Sequence, residues 1–589
     1  MNGPTPNKSL FQEWKIIWGL LAPKERRDGF WLLLLSFLNV GLDLLSLAAI
    51  FPVVLMVLEP NFWQSVDLPD NLKTWLLQWP IRTLQLGVIL ATMVLFLVKN
   101  GISVLIAHKN VGYFRSMIIR LVSQSYNKMI RGTTLQSFLQ KHGGEDLQQL
   151  IFIPSSFANN VVRGAFQMLT EGLMMIILVG ILVVYNPMAF VTAVIALSPG
   201  IGLLIWLRRR TSKKIGQNLK SLYNEYLSGI QESVAGYMDI SLSGQIDTFQ
   251  RLLYEKVAQF HRTHQRIQAM NMTTPRLVET TAVMGILSIL TYLVAVEADT
   301  LSSTLTLGIY LAGSYRLIPS LNTILQALTF YTAHRYTIFE VRALIPAEET
   351  SSPLSLSFNH RIQLDHIAFQ YGKETFSLED ITLEIQKGEK IALVGQSGSG
   401  KTTLIHLILG LFRPSAGRLV VDDTPLQEGH LDHWHTLVSY VPQNPMMLDG
   451  SIMENIAFGV PADQIDHEKL RQVVKLVELS DMIDQLPEGW NTPVGKDALR
   501  ISAGQRQRLA LARALYQDRP FMILDEVTAN LDAKTEASIL DTLVNLSHSD
   551  RTIMFITHRP KILDHCDAIW DLKDGRLQQI DRAQVTMTE

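Results

Sequence analysis

Lys390 to Leu411 reads KIALVGQSGSGKTTLIHLILGL, and it decides how the second half of the chain folds. Ile391 to Val394 is an apolar run of strand type, and Thr403 onward reads as a helix. Between them Gly395, Gln396, Ser397, Gly398, Ser399, Gly400, Lys401 and Thr402 form the G-x-x-x-x-G-K-[ST] pattern in its required strand-loop-helix setting. Glycines let successive backbone N–H groups turn inward around phosphate oxygens, and the helix adds its positive end. Lys401 is expected to reach the β- and γ-phosphates of a nucleotide, and Thr402 to ligate Mg2+.

Around this loop, short β-branched runs alternate with helical segments: RIQLDHIAFQY from Arg361, RLVVDD from Arg418, FMILDE from Phe521 and TIMFITH from Thr552. Such alternation predicts an α/β domain with a mainly parallel sheet, here over residues 361–589. The polar, turn-rich segment 348–360, EETSSPLSLSFNH, reads as a linker before it. FMILDE is a buried strand ending in two acids. Asp525 is placed to hold Mg2+ through water, and Glu526 to polarise the water that attacks the γ-phosphate.

The first half is of another kind. Lys, Arg, Asp and Glu make up 18% of the 589 residues, where a soluble chain at ~25% would carry roughly 147. The deficit of ~41 charges equals about 160 residues of nearly charge-free chain, enough for six to eight membrane helices of ~20 residues. A net charge of -2 leaves no basic surplus for nucleic acid. The single cysteine, Cys566, rules out an internal disulfide and reads as a small core residue.

Six apolar stretches supply the spans: Gly29 to Leu58, Leu84 to Ala107, Ala165 to Tyr185, Met188 to Leu207, Leu277 to Val296, and Thr304 to Tyr331, the last interrupted by Arg316. They predict an all-α polytopic domain over residues 29–347. The first run is too long for a signal peptide and lacks a small-residue cleavage pattern. Ahead of it, within residues 1–28, Leu10, Phe11, Trp14, Ile17, Trp18 and Leu21 recur at helical spacing with Glu13 and Lys15 opposite. That pattern suits a helix lying in the membrane interface, with a short packing helix as the alternative.

Cations concentrate after the second span (Lys109, Arg115, Arg120, Lys128, Arg131, Lys141) and after the fourth (Arg208, Arg209, Arg210, Lys213, Lys214, Lys220). The positive-inside rule therefore puts both long connections and both termini in the cytoplasm. Both connections are rich in helix formers, so spans two to five are expected to continue well past the bilayer.

Five further segments carry a family resemblance. ISAGQRQRLALARAL, Ile501 to Leu515, resembles the LSGGQ signature of ATP-binding cassette (ABC) transporters. Tyr371 in FQYG resembles the adenine-stacking aromatic, Gln443 in VPQNP the Q-loop glutamine, Asn530 to Asp532 the D-loop, and His558 in ITHRP the switch histidine. The resemblance implies ATP and Mg2+ as ligands, with Thr403, Ser502, Gly504, Gln505 and Asp532 beside the phosphate loop on the nucleotide. It also implies Gln443 and His558 in catalysis with Glu526, and Gln443 on the metal with Thr402 and Asp525. Ile501 and Ala503 depart from the signature pattern, and Lys496 and Asp497 stand where an acidic segment is common.

In such cassettes each ATP sits between the phosphate loop of one subunit and the signature of the other, so the resemblance implies a working homodimer with twelve membrane helices, with a partner half-transporter of different sequence as the alternative. The order of spans then cassette resembles the exporter class, whose coupling segments the turns near Phe138 to Gly144 and Ala235 to Leu242 resemble. No peptidase-type segment precedes the spans, so processing of peptide leaders is not expected.

Lys99, Arg276 and Arg316 lie within or at the ends of spans, where an uncompensated cation costs about 2.5 to 3.5 kcal/mol. They either pair internally, Arg276 with Glu279 for example, or meet an anionic head group such as a pyrophosphate, which Arg matches with a planar fork of donors. TPRLVE (Thr274 to Glu279) and YRLIPSLN (Tyr315 to Asn322), with Asp43 in the first span, are similar to bacterial flippases of lipid-linked oligosaccharides. That likeness implies ATP-driven flipping of such a lipid across the bacterial inner membrane. The alternative is an exporter of lipids, hydrophobic drugs or small peptides.

Overall fold

A computed structural model describes residues 10–58, 79–131, 148–296, 300–345, 354–371, 377–495, 501–528, 533–546, 551–557 and 559–582. The chain divides into two compact units that change over between Ala347 and Glu348.

In the first unit each expected span falls on a long helix: Pro23–Leu58, Ile81–Arg131, Arg163–Tyr185, Pro187–Ala235, Ile246–Val296 and Thr300–His334. By length and composition four stretches qualify to cross a membrane, Pro23–Ile50, Ile81–Ile130, Leu150–Tyr185 and Ile246–Ala295, with Pro187–Leu203 a shorter apolar helix. Thr300–His334 is more polar, holding Arg316 and a row of hydroxyls. Two of the helices run for 51 residues, about 75 Å at ~1.5 Å per residue and more than twice a ~30 Å hydrocarbon core. The second connection turns at Gly236 into the short, exposed helix Tyr237–Leu242. The other expected turn, Phe138 to Gly144, lies outside the described residues.

The N-terminal helix Leu10–Leu20 is anchored differently from its sequence reading. Ile17 and Leu21 are buried as expected, packed with Met117, Phe157 and Ile338. Glu13, expected on the polar face, is 0% exposed. Tyr331 Oη donates to Glu13 Oε2 at 2.8 Å, and Arg335 forms an ion pair with the same carboxylate. The partners lie more than 300 residues along the chain, so apolar spacing within the helix carries no trace of them. Glu25, just inside the next helix, is held likewise: Arg120 donates to its two oxygens at 2.6 and 2.7 Å.

In the second unit a six-stranded sheet runs in the order Arg576–Ile580, Ala568–Lys573, Lys390–Val394, Thr552–Ile556, Phe521–Asp525, Val438–Val441. All its pairings are parallel except the first. Both faces are covered, which is why the strands are apolar without interruption. Ala392, Val394, Met522 and Leu524 pack into one core, and Ile391, Leu393, Phe521 and Ile523 into the other. An antiparallel four-stranded sheet, Ser377–Gln386, Arg361–Gln370, Ala416–Val421 and Thr424–Pro425, flanks it. Of the segment read as a linker, Leu356 and Phe358 are buried in the second core, and Leu354 N donates to Gly429 O at 3.1 Å. Because Lys390–Val394 and Phe521–Asp525 flank Thr552–Ile556 in parallel, Gly395 and Asp525 emerge at the same carboxyl edge, where ligands of open α/β sheets bind.

Cys566 is buried, and its Sγ donates to Ile562 O at 3.3 Å. Burial, reinforced by Asp567, pushes its pKa up to about 12. The native protein should therefore resist maleimide at pH 8 and be labelled once urea unfolds the cassette; fast labelling of the native chain would contradict this packing.

Candidate functional site

The carboxyl edge of the cassette sheet gathers the expected phosphate site. Gly395 has φ +146, and a side chain there would bring Cβ to 2.4 Å from the Leu572 carbonyl oxygen. Gly400, at φ +103, caps the helix Lys401–Ile408, so the loop closes directly onto a helix N-terminus. Gln396, Ser397 and Gly398 form its exposed crest. Lys401 Nζ donates to the carbonyls of Gly395 and Gln396. Burial lowers its pKa, with Glu526 and Asp525 opposing the shift. Ser399 Oγ is buried and has no hydrogen-bond partner. An unpaired buried hydroxyl is costly, and a phosphate oxygen would satisfy it, so the loop fits a bound anion.

Tyr371 stands beside the loop. Its hydroxyl is 3.1 Å from Thr403 Oγ1, and its ring meets Phe369 and Phe412 edge-on at 5.1 and 5.6 Å. The ring is braced at its edges and partly exposed, free to stack on a base. Thr402, next along the helix, has an exposed side chain suited to a metal.

Asp525 ends its strand with Oδ2 3.1 Å from the donating Tyr440 hydroxyl. Burial raises its pKa, partly offset by that hydrogen bond. Glu526 adopts φ +49, in the left-handed region, which turns its side chain out of the strand line. Its backbone N–H donates to Ile556 O at 3.0 Å, and Gln443 Nε2 donates to its Oε2 at 2.6 Å. Asp525, Glu526 and Gln443 thus form one polar cluster of oxygen donors, of a kind suited to a hard divalent cation and a held water.

Two residues of this cluster escaped the sequence reading. Gln507 is buried, with Nε2 donating to Glu526 O at 3.3 Å and to Gln443 O at 3.4 Å, so it ties both loops together. An amide four residues before Leu511, on the buried face of the helix Ala503–Gln517, was the available signal. Tyr440 was the other, a hydroxyl in the strand Val438–Val441.

Ser502 caps that same helix. Gln505 N donates to Ser502 Oγ at 3.1 Å, and Ser502 N donates to Gln505 Oε1 at 2.7 Å, a reciprocal capping box. Ser502 is exposed, with Gly504 half-buried in the first turn. Among the described residues no hydrogen bond joins Ser502, Gly504 or Gln505 to the phosphate loop. His558, Asp532, Lys496 and Asp497 lie outside the described residues.

In the membrane unit the expected substrate residues separate into two groups. Lys99 Nζ is 2.7 Å from Asp43 Oδ1, and Arg316 Nη2 is 2.7 Å from Asp43 Oδ2. Arg316 also lies 3.9 Å from Glu171, which accepts a hydrogen bond from Ser320 Oγ at 2.7 Å. Asp43, Lys99, Glu171 and Arg316 therefore make a charge-balanced cluster that joins four helices. Glu171 is a further member that the sequence reading had not singled out. Arg276 stands apart, 83% exposed and 3.4 Å from Glu279 on its own helix.

Residues 378–529 match the family described as ABC transporter. An ATP-dependent lipid A-core flippase of Saccharophagus degradans is 28% identical over 482 residues, 80% of each chain. The flippase of the same name from Cupriavidus metallidurans is 26% identical, over 96% of this chain and 92% of the relative. The mesentericin-Y105 transport/processing ATP-binding protein MesD of Leuconostoc mesenteroides is 28% identical, over 90% of this chain and 72% of the relative. A bacterial Atm1-family ABC exporter structure with ATP bound superposes with a TM-score of 0.74 at 20% identity, covering 95% of this chain and 96% of its own. Residues 378–529 are an ABC transporter ATP-binding domain, preceded by an N-terminal membrane domain of apolar helices, and the chain has the fold of an ABC exporter.

Proposed function

We propose that two copies of this chain pair in the bacterial inner membrane, cassettes in the cytoplasm, and use ATP and Mg2+ to flip or export an anionic amphipath of the lipid-linked oligosaccharide class. The chain is an ATP hydrolase coupled to transport. Thr402, Asp525 and Gln443 would hold the metal, and Lys401 would neutralise the β/γ-phosphates. Glu526, oriented by Gln443 and Gln507, would polarise the attacking water, while His558 and Asp532 complete the site as their motifs imply. The exposed signature around Ser502 supports pairing, because one chain carries a single loop and a single signature.

For the substrate, the observation that carries the reading is the reserve of unused guanidinium donors. Arg316 Nε is buried without a hydrogen-bond partner, and Arg276 is largely exposed with one long contact to Glu279. A pyrophosphate or phosphate head group would accept from Arg316 and compete with Asp43 for Lys99 and Arg316, while Arg276, apart from that cluster, offers a separate exposed guanidinium. The charge balance of the cluster favours a second reading, an exporter of lipids, hydrophobic drugs or small peptides in which the four charges serve packing alone.

In nanodiscs, polyprenyl-pyrophosphate sugars should stimulate ATP turnover and Arg316→Ala or Arg276→Ala should abolish the stimulation. Stimulation by hydrophobic drugs alone, unchanged in both variants, would establish the second reading. Asp43→Asn should lower stability by about 2 kcal/mol, because it leaves two half-buried cations with Glu171 as the remaining carboxylate of the described cluster, and Asp43→Asn/Lys99→Met should recover part of that loss. Glu526→Gln should bind ATP as tightly as the parent and lose turnover by about a hundredfold or more, read by single-turnover hydrolysis. Unchanged hydrolysis would remove Glu526 from the role of base.

A further inference from the structure

We propose that the groove between the N-terminal helix Leu10–Leu20 and the helix Thr337–Leu344 binds the phosphate head group of an anionic phospholipid from the cytoplasmic leaflet. This site is separate from the nucleotide site and from the Asp43 cluster, and does not depend on what the protein transports. The groove has a volume of about 510 Å³ and is lined by Gln12, Lys15, Ile16, Gly19, Leu20 and Arg342. Lys15 and Arg342 belong to different helices, are both exposed, and have no ion-pair partner among the described residues. Ile16 and Leu20 give an apolar floor, and Gln12 adds an amide.

The nearby charges make the groove cationic. Glu13 is turned into the core onto Arg335 and Tyr331, and Glu25 is closed on Arg120. Glu340 stands two residues from Arg342 and so on the far side of that helix. Two more cations border the groove: Arg26 Nη2 donates to Gly19 O at 3.1 Å while its Nε is buried without a partner, and Lys128 donates to Ala343 O. A guanidinium and an ammonium across an apolar floor match a phosphodiester, whose charge they share and whose glycerol and acyl portion the floor accepts.

The membrane is the source because the first span starts at Pro23, three residues beyond the groove-lining helix, and presents Phe30, Leu34 and Leu38 as an exposed apolar row. Trp18, also exposed, is of the type that settles at head-group level. A free phosphate would use the two cations and leave this apolar continuation unmatched.

The test uses the full chain in nanodiscs of phosphatidylcholine and phosphatidylglycerol, extracted into detergent, with retained lipid counted by mass spectrometry. The parent should retain phosphatidylglycerol selectively. Lys15→Gln/Arg342→Gln should retain it roughly thirtyfold more weakly, about fivefold per cation. Lys15→Arg/Arg342→Lys should retain it as the parent does, and Lys24→Gln should change nothing. Gly19→Leu keeps both cations and fills the groove at a position where an added Cβ meets nothing within 4 Å, so it should fold normally and still lose the lipid. Unchanged retention in the double Gln variant or in Gly19→Leu would overturn the site. An equal loss in Lys24→Gln, or displacement of the lipid by millimolar inorganic phosphate, would overturn it as well.

Discussion

A carboxylate inside a membrane helix has to be compensated by charge within reach, and Asp43 is compensated twice, by Lys99 and by Arg316. Desolvation would make any one of these three charges alone expensive, so their helices are held to a common depth and rotation. Glu171 closes the balance and brings in a fourth helix. Leucine-rich helix surfaces next to lipid gain little from one another, whereas a neutral quartet of charges has one low-energy arrangement. The register of the four helices that carry these charges follows from it. The N-terminal helix repeats the device, with Glu13 held by Arg335 and Tyr331.

The cassette answers a related constraint with the opposite sign. Asp525 and Glu526 crowd two carboxylates at one strand end, and Lys401 is the cation that feels both. Lys401 is folded onto the carbonyls of its own loop, a weaker partner than a phosphate. The loop N–H groups, the helix N-terminus and Lys401 together favour a polyanion, while the carboxylates demand a divalent cation. A nucleotide with its metal would satisfy both halves, as proposed for this edge.

What was legible in the sequence follows from the range over which each feature is encoded. The six apolar stretches and the phosphate loop are written in contiguous residues; each stretch lies on a helix, and the loop sits between its strand and its helix. The two-faced strands were legible for the same reason, since burial on both sides needs unbroken apolar runs. Glu13, Glu171 and Gln507 were not, because each has a polar partner far along the chain and looks like an ordinary surface residue within its own helix. Arg276 shows the intermediate case: its Glu279 partner, one turn away, was readable. Leu356 and Phe358 were hidden among serines that read as a linker, although their alternation is that of a chain lying against a core.

Gln507 shows how the two kinds of information combine at the carboxyl edge of the sheet. The signature helix Ala503–Gln517 starts with exposed Ser502, whose capping box with Gln505 fixes the first turn. One further turn in, Gln507 holds the backbone carbonyls of Gln443 and Glu526. The surface that would meet a second copy and the carboxylate that would activate water are thereby joined through one short helix. The start of the helix is thus tied to the backbone of Glu526 by a buried amide, which fixes the carboxylate's strand end against the helix.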